Sequence, residues 1–537
     1  MASLPDIDRL SLAEQVAQMV VVRASGYLFD HQIQYPEWEP PAANLQQWVE
    51  NLGVGGVILL GGSAGEIALR SQQLQSWAKI PLLIAADIEE GVGQRFSGAT
   101  WFPPPMALSA IARKNPSLAQ EYAQQMGAST AQEALAIGIN WVLAPVVDVN
   151  NNPANPVINV RAFGETPAEV SQLATAFIQG AQRHPVLTTA KHFPGHGDTA
   201  VDSHLELPVL PHSAERLAEI ELPPFDAAIR ASVDSVMSAH LLIPAWDAER
   251  PATLSPAILT GQLREKLGFE GLIVTDALVM GAIANRYGAN EAPVMAVEAG
   301  ADILLMPVDP PGAIQAVCDA VAAGRISPER IRASVERIWK AKLKVFSLSD
   351  SGEVKETQPS PNSLNLLAQP LALETAANIL RHAQLIHGSV PLPPEEAPTP
   401  NHKLRNLIVV DNALGCDFLG RQTPAVALPK QRGYQLQLLD RNSPSTLAAE
   451  DSENFSSTLL QLFIRGNPFR GSAGLTPVAQ DLFKKLLKTG ELKALVIYGS
   501  PYLLQQFIPE LPTEVPCVFS YGQMPAAQAI ALEVLFS

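Results

Sequence analysis

The chain has 537 residues, 47% of them apolar, with 37 basic and 53 acidic side chains and a formal net charge of −16. That length exceeds one ordinary core, so we expect two or three domains. The negative charge excludes nucleic acid or an anionic membrane as the main partner, because neither would attract it. The sequence shows no signal-peptide pattern at its start and no apolar run long enough to span a membrane. We therefore expect a cytoplasmic protein without membrane insertion.

In chain order, residues 15–310 alternate short apolar runs with helix-like segments such as 118–138 and 215–231. Continuous apolar runs suit parallel strands that are buried on both faces. Eight such runs predict a (β/α)8 TIM-like barrel, with a doubly wound open sheet as the alternative. The runs lie at residues 19–22, 55–60, 81–87, 140–149, 186–191, 234–240, 271–276 and 301–307.

A helix-like segment at 329–346 would close this unit, and a polar, proline-containing stretch follows it. The apolar pattern then restarts, which predicts a second, smaller α/β domain. The predicted organisation is a barrel at 1–346, a linker at 347–370 and a C-terminal domain at 371–537. Apolar runs of that domain lie at 404–411, 434–440, 458–466, 493–500 and 516–522.

Three widely separated cysteines, Cys318, Cys416 and Cys517, lie in apolar sequence. An odd count at such spacing predicts buried free thiols rather than disulfides or a metal site.

The segment KHFPGHGDTAVDSHLELP, residues 191–208, concentrates three histidines and two aspartates among glycines. Pro194, Gly195 and Gly197 disfavour a helix there. A loop of this composition on a rigid scaffold is a candidate for chemistry. The pair Asp202 and His204 at its end resembles an oriented acid/base dyad.

Charged side chains also follow predicted strands, where barrel active sites lie. Each has an alternative interpretation: Asp276 could cap the next helix, and Arg161 could form a surface ion pair. In a barrel, however, all strand ends meet at one mouth, and the combined set resembles a sugar site with bidentate partners for hydroxyls. The candidates are Asp276, Asp87 with Arg95, Arg161, and Lys191 with His192.

A zinc site built from His192, His196, His204 and Asp198 is a weaker alternative. The segment has neither HExxH spacing nor a cysteine pair, and its glycines would hold ligands loosely. We therefore expect no metal and no other cofactor.

Four motifs together resemble family 3 glycoside hydrolases of the β-N-acetylhexosaminidase type. They are KHFPGHGDTAVDSHLELP (191–208), GLIVTDALVMGAI (271–283), NPVINVRAFGETP (155–167) and AADIEEGVGQRF (85–96). The resemblance covers residues 10–345. Segments 494–504 and 518–536 resemble the α/β sandwich domain of two-domain members.

The resemblance implies a role for each candidate. Asp276 would be the nucleophile, His204 the general acid/base and Asp202 its orienting partner. Lys191 and His192 would bind substrate, and Asp87, Arg95 and Arg161 would hold the sugar in the −1 subsite. The chain departs from the family pattern at Glu90 (glycine), Val92 (arginine) and Ala277 (a second aspartate), which we expect to affect fine specificity.

The implied activity is that of a retaining exo-β-N-acetylglucosaminidase acting on peptidoglycan fragments or related N-acetylhexosaminides, as in wall recycling. A phosphorylase remains an alternative, because a histidine acid/base does not repel incoming phosphate as a carboxylate would. Further alternatives are a β-glucosidase-type member, a non-catalytic sugar-binding module and a metal-dependent hydrolase.

Overall fold

The computed structural model describes residues 4–200, 206–346, 361–393, 403–440, 455–466 and 477–537. Its first sheet has eight parallel strands, each beside the next in sequence, and β8 pairs with β1. A parallel bridge between Val274 and Ile303 closes the ring. The barrel is confirmed and the open sheet is wrong. The strands are β1 (Val20–Ser25), β2 (Gly56–Leu60), β3 (Leu83–Ala86), β4 (Trp141–Val142), β5 (Leu187–Phe193), β6 (Ser235–Ser238), β7 (Leu272–Val274) and β8 (Leu304–Leu305).

Several helices of this first unit begin where the sequence supplies a side-chain cap. Ser63 forms a capping box with Glu66, and the Ser327 hydroxyl accepts from the Arg330 amide. The predicted helix at 215–231 is two helices. Helical segments are Leu12–Gln18, Ala42–Gln47, Trp48–Leu52, Ala64–Trp77, Met106–Ala112, Pro116–Ala136, Pro167–Ala181, Ala214–Ile220, Leu222–Arg230, Ala257–Lys266, Gly281–Tyr287, Glu291–Ala299, Pro310–Ala322 and Pro328–Val345.

The second sheet has the strand order β11-β10-β12-β13-β14-β9. Strand β9 runs antiparallel to β14 and was missed, because its three residues are too short for a clear apolar pattern. The strands are β9 (Leu385–His387), β10 (Leu404–Val410), β11 (Gln435–Leu439), β12 (Ser457–Ile464), β13 (Leu492–Gly499) and β14 (Cys517–Ser520). The helices are Pro370–Ala383, Pro424–Gln431, Pro477–Thr489, Pro501–Phe507 and Pro525–Phe536.

The two sheets share buried apolar surface. On β10, Leu407 and Val409 belong to a core that is continuous with that of the barrel, whereas Ile408 and Val410 belong to a separate core. This follows from the alternation of side chains along a strand. Residues 347–360 of the predicted linker lie outside the described part, and the division at 346 and 370 stays a prediction.

The cysteines are free thiols, as predicted. Cys517 is buried, but Cys318 and Cys416 are only partly so, and the prediction of full burial was wrong for these two. Within the described ranges, no helix has the length and apolar character that crossing a membrane requires.

Candidate active site

The predicted charged residues meet at the carboxyl ends of β3, β4 and β5. Asp87 directly follows β3, Asp148 lies beyond β4, and Lys191 and His192 lie near the end of β5. Parallel strands of a barrel carry their carboxyl ends to one mouth, so the topology places these side chains side by side.

Two cations and two carboxylates form a continuous network there. The Lys191 ammonium lies 2.7 Å from Asp87 Oδ1 and 2.6 Å from Glu89 Oε1. Arg161 donates from Nε and Nη2 to the two oxygens of Glu89, at 2.8 Å each. Its Nη1 donates to the Val157 carbonyl at 2.9 Å. Such a bidentate pair fixes the guanidinium in one orientation.

In this network, burial and the neighbouring charges shift the pKa values in opposite directions, and the charges together have the larger effect. Burial alone would raise the pKa of Glu89, but Arg161 and Lys191 hold it well below its ordinary value. Burial would lower the pKa of Lys191, but Asp87 and Glu89 raise it. Glu89, Lys191 and Arg161 therefore carry charge at neutral pH. Asp87 is 34% exposed and Glu89 only 4%, so Asp87 is the carboxylate open to a ligand hydroxyl.

A second cluster surrounds Asp148, which is fully buried. Its Oδ2 lies 2.8 Å from His192 Nδ1, and its Oδ1 accepts from the backbone amides of His192 and His196. Burial would raise the pKa of Asp148, but His192 and His196 lower it. An ionised Asp148 requires the proton of His192 to sit on Nδ1, which leaves Nε2 for a ligand. The His196 side chain contacts the Thr199 hydroxyl, and burial lowers the pKa of His196 to about 4.

Asp276 lies two residues beyond β7 and is half-buried. The Ala277 amide donates to its Oδ1 at 2.7 Å. The following helix begins at Gly281 with Met280 as its N-cap, so the interpretation of Asp276 as a helix cap is wrong. Asp276 also raises the pKa of His196, against the larger effect of burial.

The structure places the remaining predicted residues as follows. Arg95 is exposed, and its Nε donates to the Asp87 carbonyl rather than to a side chain. Asp202 and His204 lie outside the described residues. Asp198 is 2.8 Å from His212 Nε2 and also pairs with Arg216. Among the described residues, no group of three or more histidine, cysteine, aspartate or glutamate side chains is arranged to hold a metal ion.

Sequence reasoning missed two carboxylates that the structure makes central. Of the adjacent pair Glu89 and Glu90, only Glu90 was named from the sequence, and Asp148 was not predicted as a site residue. The available signal was position, because both are acidic residues close behind an apolar strand in a predicted barrel. Which of Glu89 and Glu90 turns toward Lys191 depends on the local backbone path.

These features define a class: a (β/α)8 barrel with charged and histidine side chains clustered at its mouth, joined to a second α/β sheet. Residues 11–341 match the model of the glycosyl hydrolase family 3 N-terminal domain, and residues 397–537 match that of the bacterial family 3 C-terminal domain. The chain belongs to glycosyl hydrolase family 3, which confirms the resemblance.

Individual relatives agree with this assignment. The chain is 34% identical over 395 residues to beta-hexosaminidase A of Pseudoalteromonas piscicida, covering 66% of this chain and 64% of that one. It is 31% identical to a beta-N-acetylglucosaminidase/beta-glucosidase of Cellulomonas fimi, covering 65% and 62%. The match thus spans less than two thirds of either relative. A solved family 3 beta-N-acetylglucosaminidase from Paenibacillus sp. FPU-7 superimposes with a TM-score of 0.76 at 30% identity, covering 97% of this chain and 96% of that one.

Proposed function

We propose that this protein is a retaining exo-β-N-acetylglucosaminidase that removes terminal N-acetylglucosamine through a covalent glycosyl-aspartate. The observation that carries the proposal is the network of Asp87, Lys191, Glu89 and Arg161 at the mouth, with Asp276 on the same rim. Sugar hydroxyls need paired donors and acceptors held at fixed positions, and this network offers both.

Each charged group has a binding role in this proposal. The exposed carboxylate of Asp87 accepts from sugar hydroxyls, and Lys191 donates to an adjacent oxygen. Glu89 keeps Lys191 and Arg161 in place, because it is buried between them. His192, oriented by Asp148, accepts a hydrogen bond from a further sugar hydroxyl at Nε2.

The chemical steps follow the two-step scheme of retaining glycosidases. A carboxylate oxygen of Asp276 bonds to the anomeric carbon as the glycosidic C–O bond breaks, and His204 gives its proton to the departing oxygen. Water then attacks the anomeric carbon, His204 takes a proton from that water, and Asp276 leaves. Asp202 would orient the His204 ring. The roles of His204 and Asp202 rest on the sequence motif.

The natural substrate is proposed to be a peptidoglycan fragment or a related N-acetylglucosaminide. The names of the relatives support the sugar class: two are hexosaminidases or N-acetylglucosaminidases, and the third carries both N-acetylglucosaminidase and glucosidase activity in its name. The cytoplasmic location stays a prediction, which cell fractionation with a specific antibody would test.

The test is cleavage of p-nitrophenyl β-N-acetylglucosaminide and of the matching β-glucoside, each with and without inorganic phosphate. We expect the N-acetyl substrate to be preferred. Asp276→Ala should abolish cleavage by removing the nucleophile, and His204→Ala should reduce it by at least about 100-fold through loss of acid/base catalysis. A sugar 1-phosphate product would establish the phosphorylase, and glucoside cleavage independent of His204 would contradict its proposed role.

A further inference from the structure

The carboxyl ends of the parallel strands in the second sheet lie against the barrel mouth. Arg465 directly follows β12, and Tyr502 lies in the helix after β13, which is the neighbour of β12. Gly466 is packed so closely that a Cβ there would come within 2.9 Å of the Asn159 Cβ. The ends of two adjacent parallel strands therefore contact the segments that carry the site residues of the barrel.

The first contact is an ion pair between domains. Arg465 Nη2 lies 2.7 Å from Glu90 Oε1, and Nη1 donates to Glu90 Oε2 at 3.3 Å. The Trp101 indole donates to the same Oε2 at 3.0 Å. Glu90 is 1% exposed and Arg465 13% exposed, so solvent weakens this pair less than an open surface pair. Glu90 is the residue next to Glu89, which holds Lys191 and Arg161.

The second contact reaches the segment of Arg161. The Tyr502 hydroxyl accepts from Asn150 Nδ2 at 2.9 Å and donates to Glu165 Oε1 at 2.7 Å. Asn150 Oδ1 in turn accepts from the Asn159 backbone amide at 2.8 Å. Asn159 begins the short helical turn Asn159–Arg161 and has a φ of 45°. Asparagine enters this left-handed region more readily than most side chains, and the Asn150 contact holds the Asn159 amide in place there.

We propose that Arg465 and Tyr502 are positioning residues through which the C-terminal domain holds the −1 subsite in its binding geometry. Arg465 secures the backbone of the loop that bears Asp87 and Glu89, and Tyr502 secures the turn that bears Arg161. The two contacts act on opposite partners of one ion pair, Glu89 with Arg161. This inference rests on the proposed function, because that proposal assigns sugar binding to these residues.

The experiment compares Arg465→Ala, Arg465→Lys and Tyr502→Phe in the full chain. Matched controls are Arg405→Ala and Tyr498→Phe, because Arg405 pairs with Glu491 and Tyr498 donates to Gln461, both within the C-terminal domain itself. Measurements are kcat and KM on the chromogenic N-acetylglucosaminide, the Kd of free N-acetylglucosamine by calorimetry, and Tm.

We expect Arg465→Ala and Tyr502→Phe to lower kcat/KM by about tenfold and to weaken N-acetylglucosamine binding, because small displacements in a site are costly. Arg465→Lys should recover part of the loss. The controls should lower Tm with catalysis unchanged. If the test variants lose Tm but keep kcat/KM and Kd within twofold of wild type, the contacts are structural and the inference is wrong. A wild-type protein that neither cleaves nor binds the sugar overturns the proposed function, and this inference with it.

Discussion

The mouth and the base of the barrel both bury charge, but in different ways. At the mouth, Lys191 and Arg161 share Glu89, and Asp87 stays one-third exposed. At the base, just before β8, Asp302 is fully buried and three arginines surround it. Its oxygens also accept from the Ser334 hydroxyl and the Ile273 amide. The arginines are Arg264, Arg330 and Arg337.

The comparison shows that buried charge by itself does not mark a functional site. The base cluster ties helix Pro328–Val345 to the strands and surrounds its carboxylate with donors, which is typical of a structural role. The mouth cluster keeps a carboxylate partly exposed at the carboxyl ends of the strands, where barrels bind ligands. The residual exposure of a carboxylate and its position in the fold therefore distinguish the mouth cluster from the base cluster.

The largest effect on stability is expected at the base. Asp302→Ala would leave three partly buried arginines without their carboxylate, which should lower the free energy of unfolding by about 3–5 kcal/mol. Denaturant unfolding measures this. Asp226→Ala, which removes a carboxylate paired with Arg230 on the surface, serves as the control and should cost less than about 1 kcal/mol. Specific activity per folded molecule should stay normal in both, and a large loss of kcat in folded Asp302→Ala would contradict the distinction.

At the mouth, we expect a substitution to impair catalysis, whereas the substitution at the base impairs stability. Lys191→Met keeps the length of the side chain but removes the charge shared by Asp87 and Glu89, and it should lower kcat/KM by about 100-fold. Steady-state kinetics on the N-acetylglucosaminide measures it. The exposed Lys340, changed to Met, is the control for loss of a lysine. A normal kcat/KM in Lys191→Met would mean that the mouth network does not bind substrate.

A pH-dependent effect is expected from Lys342 at the base, whose ammonium is fully buried and lies 2.7 Å from Gln18 Oε1. Burial lowers the pKa of Lys342 to about 7, whereas an exposed lysine titrates near about 10.4. Between these values the folded state binds fewer protons than the unfolded state. Stability should therefore rise with pH across this window, by up to about 1.4 kcal/mol per pH unit from this group.

Urea unfolding of wild type and Lys342→Met at several pH values from 7 to 10 tests this expectation. The substitution should remove the rise, whereas Lys340→Met on the same helix should preserve it. An identical pH dependence in wild type and Lys342→Met would mean that the buried lysine titrates at its ordinary value in the folded protein.

A large part of the fold could be predicted from the sequence. Each of the eight apolar runs of the barrel overlaps a strand, because a strand buried on both faces must be largely apolar. Five strands of the second sheet were also predicted from their apolar runs, although the edge strand β11 is largely exposed, while three-residue β9 lacks enough residues for a pattern. Helix starts at Pro116 and Pro328 were predicted to within two residues, since the amphipathic pattern of a helix is a local signal.

The sequence by itself thus determined the strands, the barrel and the rim on which Asp87, Lys191 and Asp276 lie, because these follow from local pattern and from strand polarity. The tertiary structure decided the pairing of charges. Glu90 and Arg465 are 375 residues apart, and Asn150 and Tyr502 are 352 apart. Such contacts exist only after two separately patterned sheets pack together, so no local periodicity or spacing encodes them.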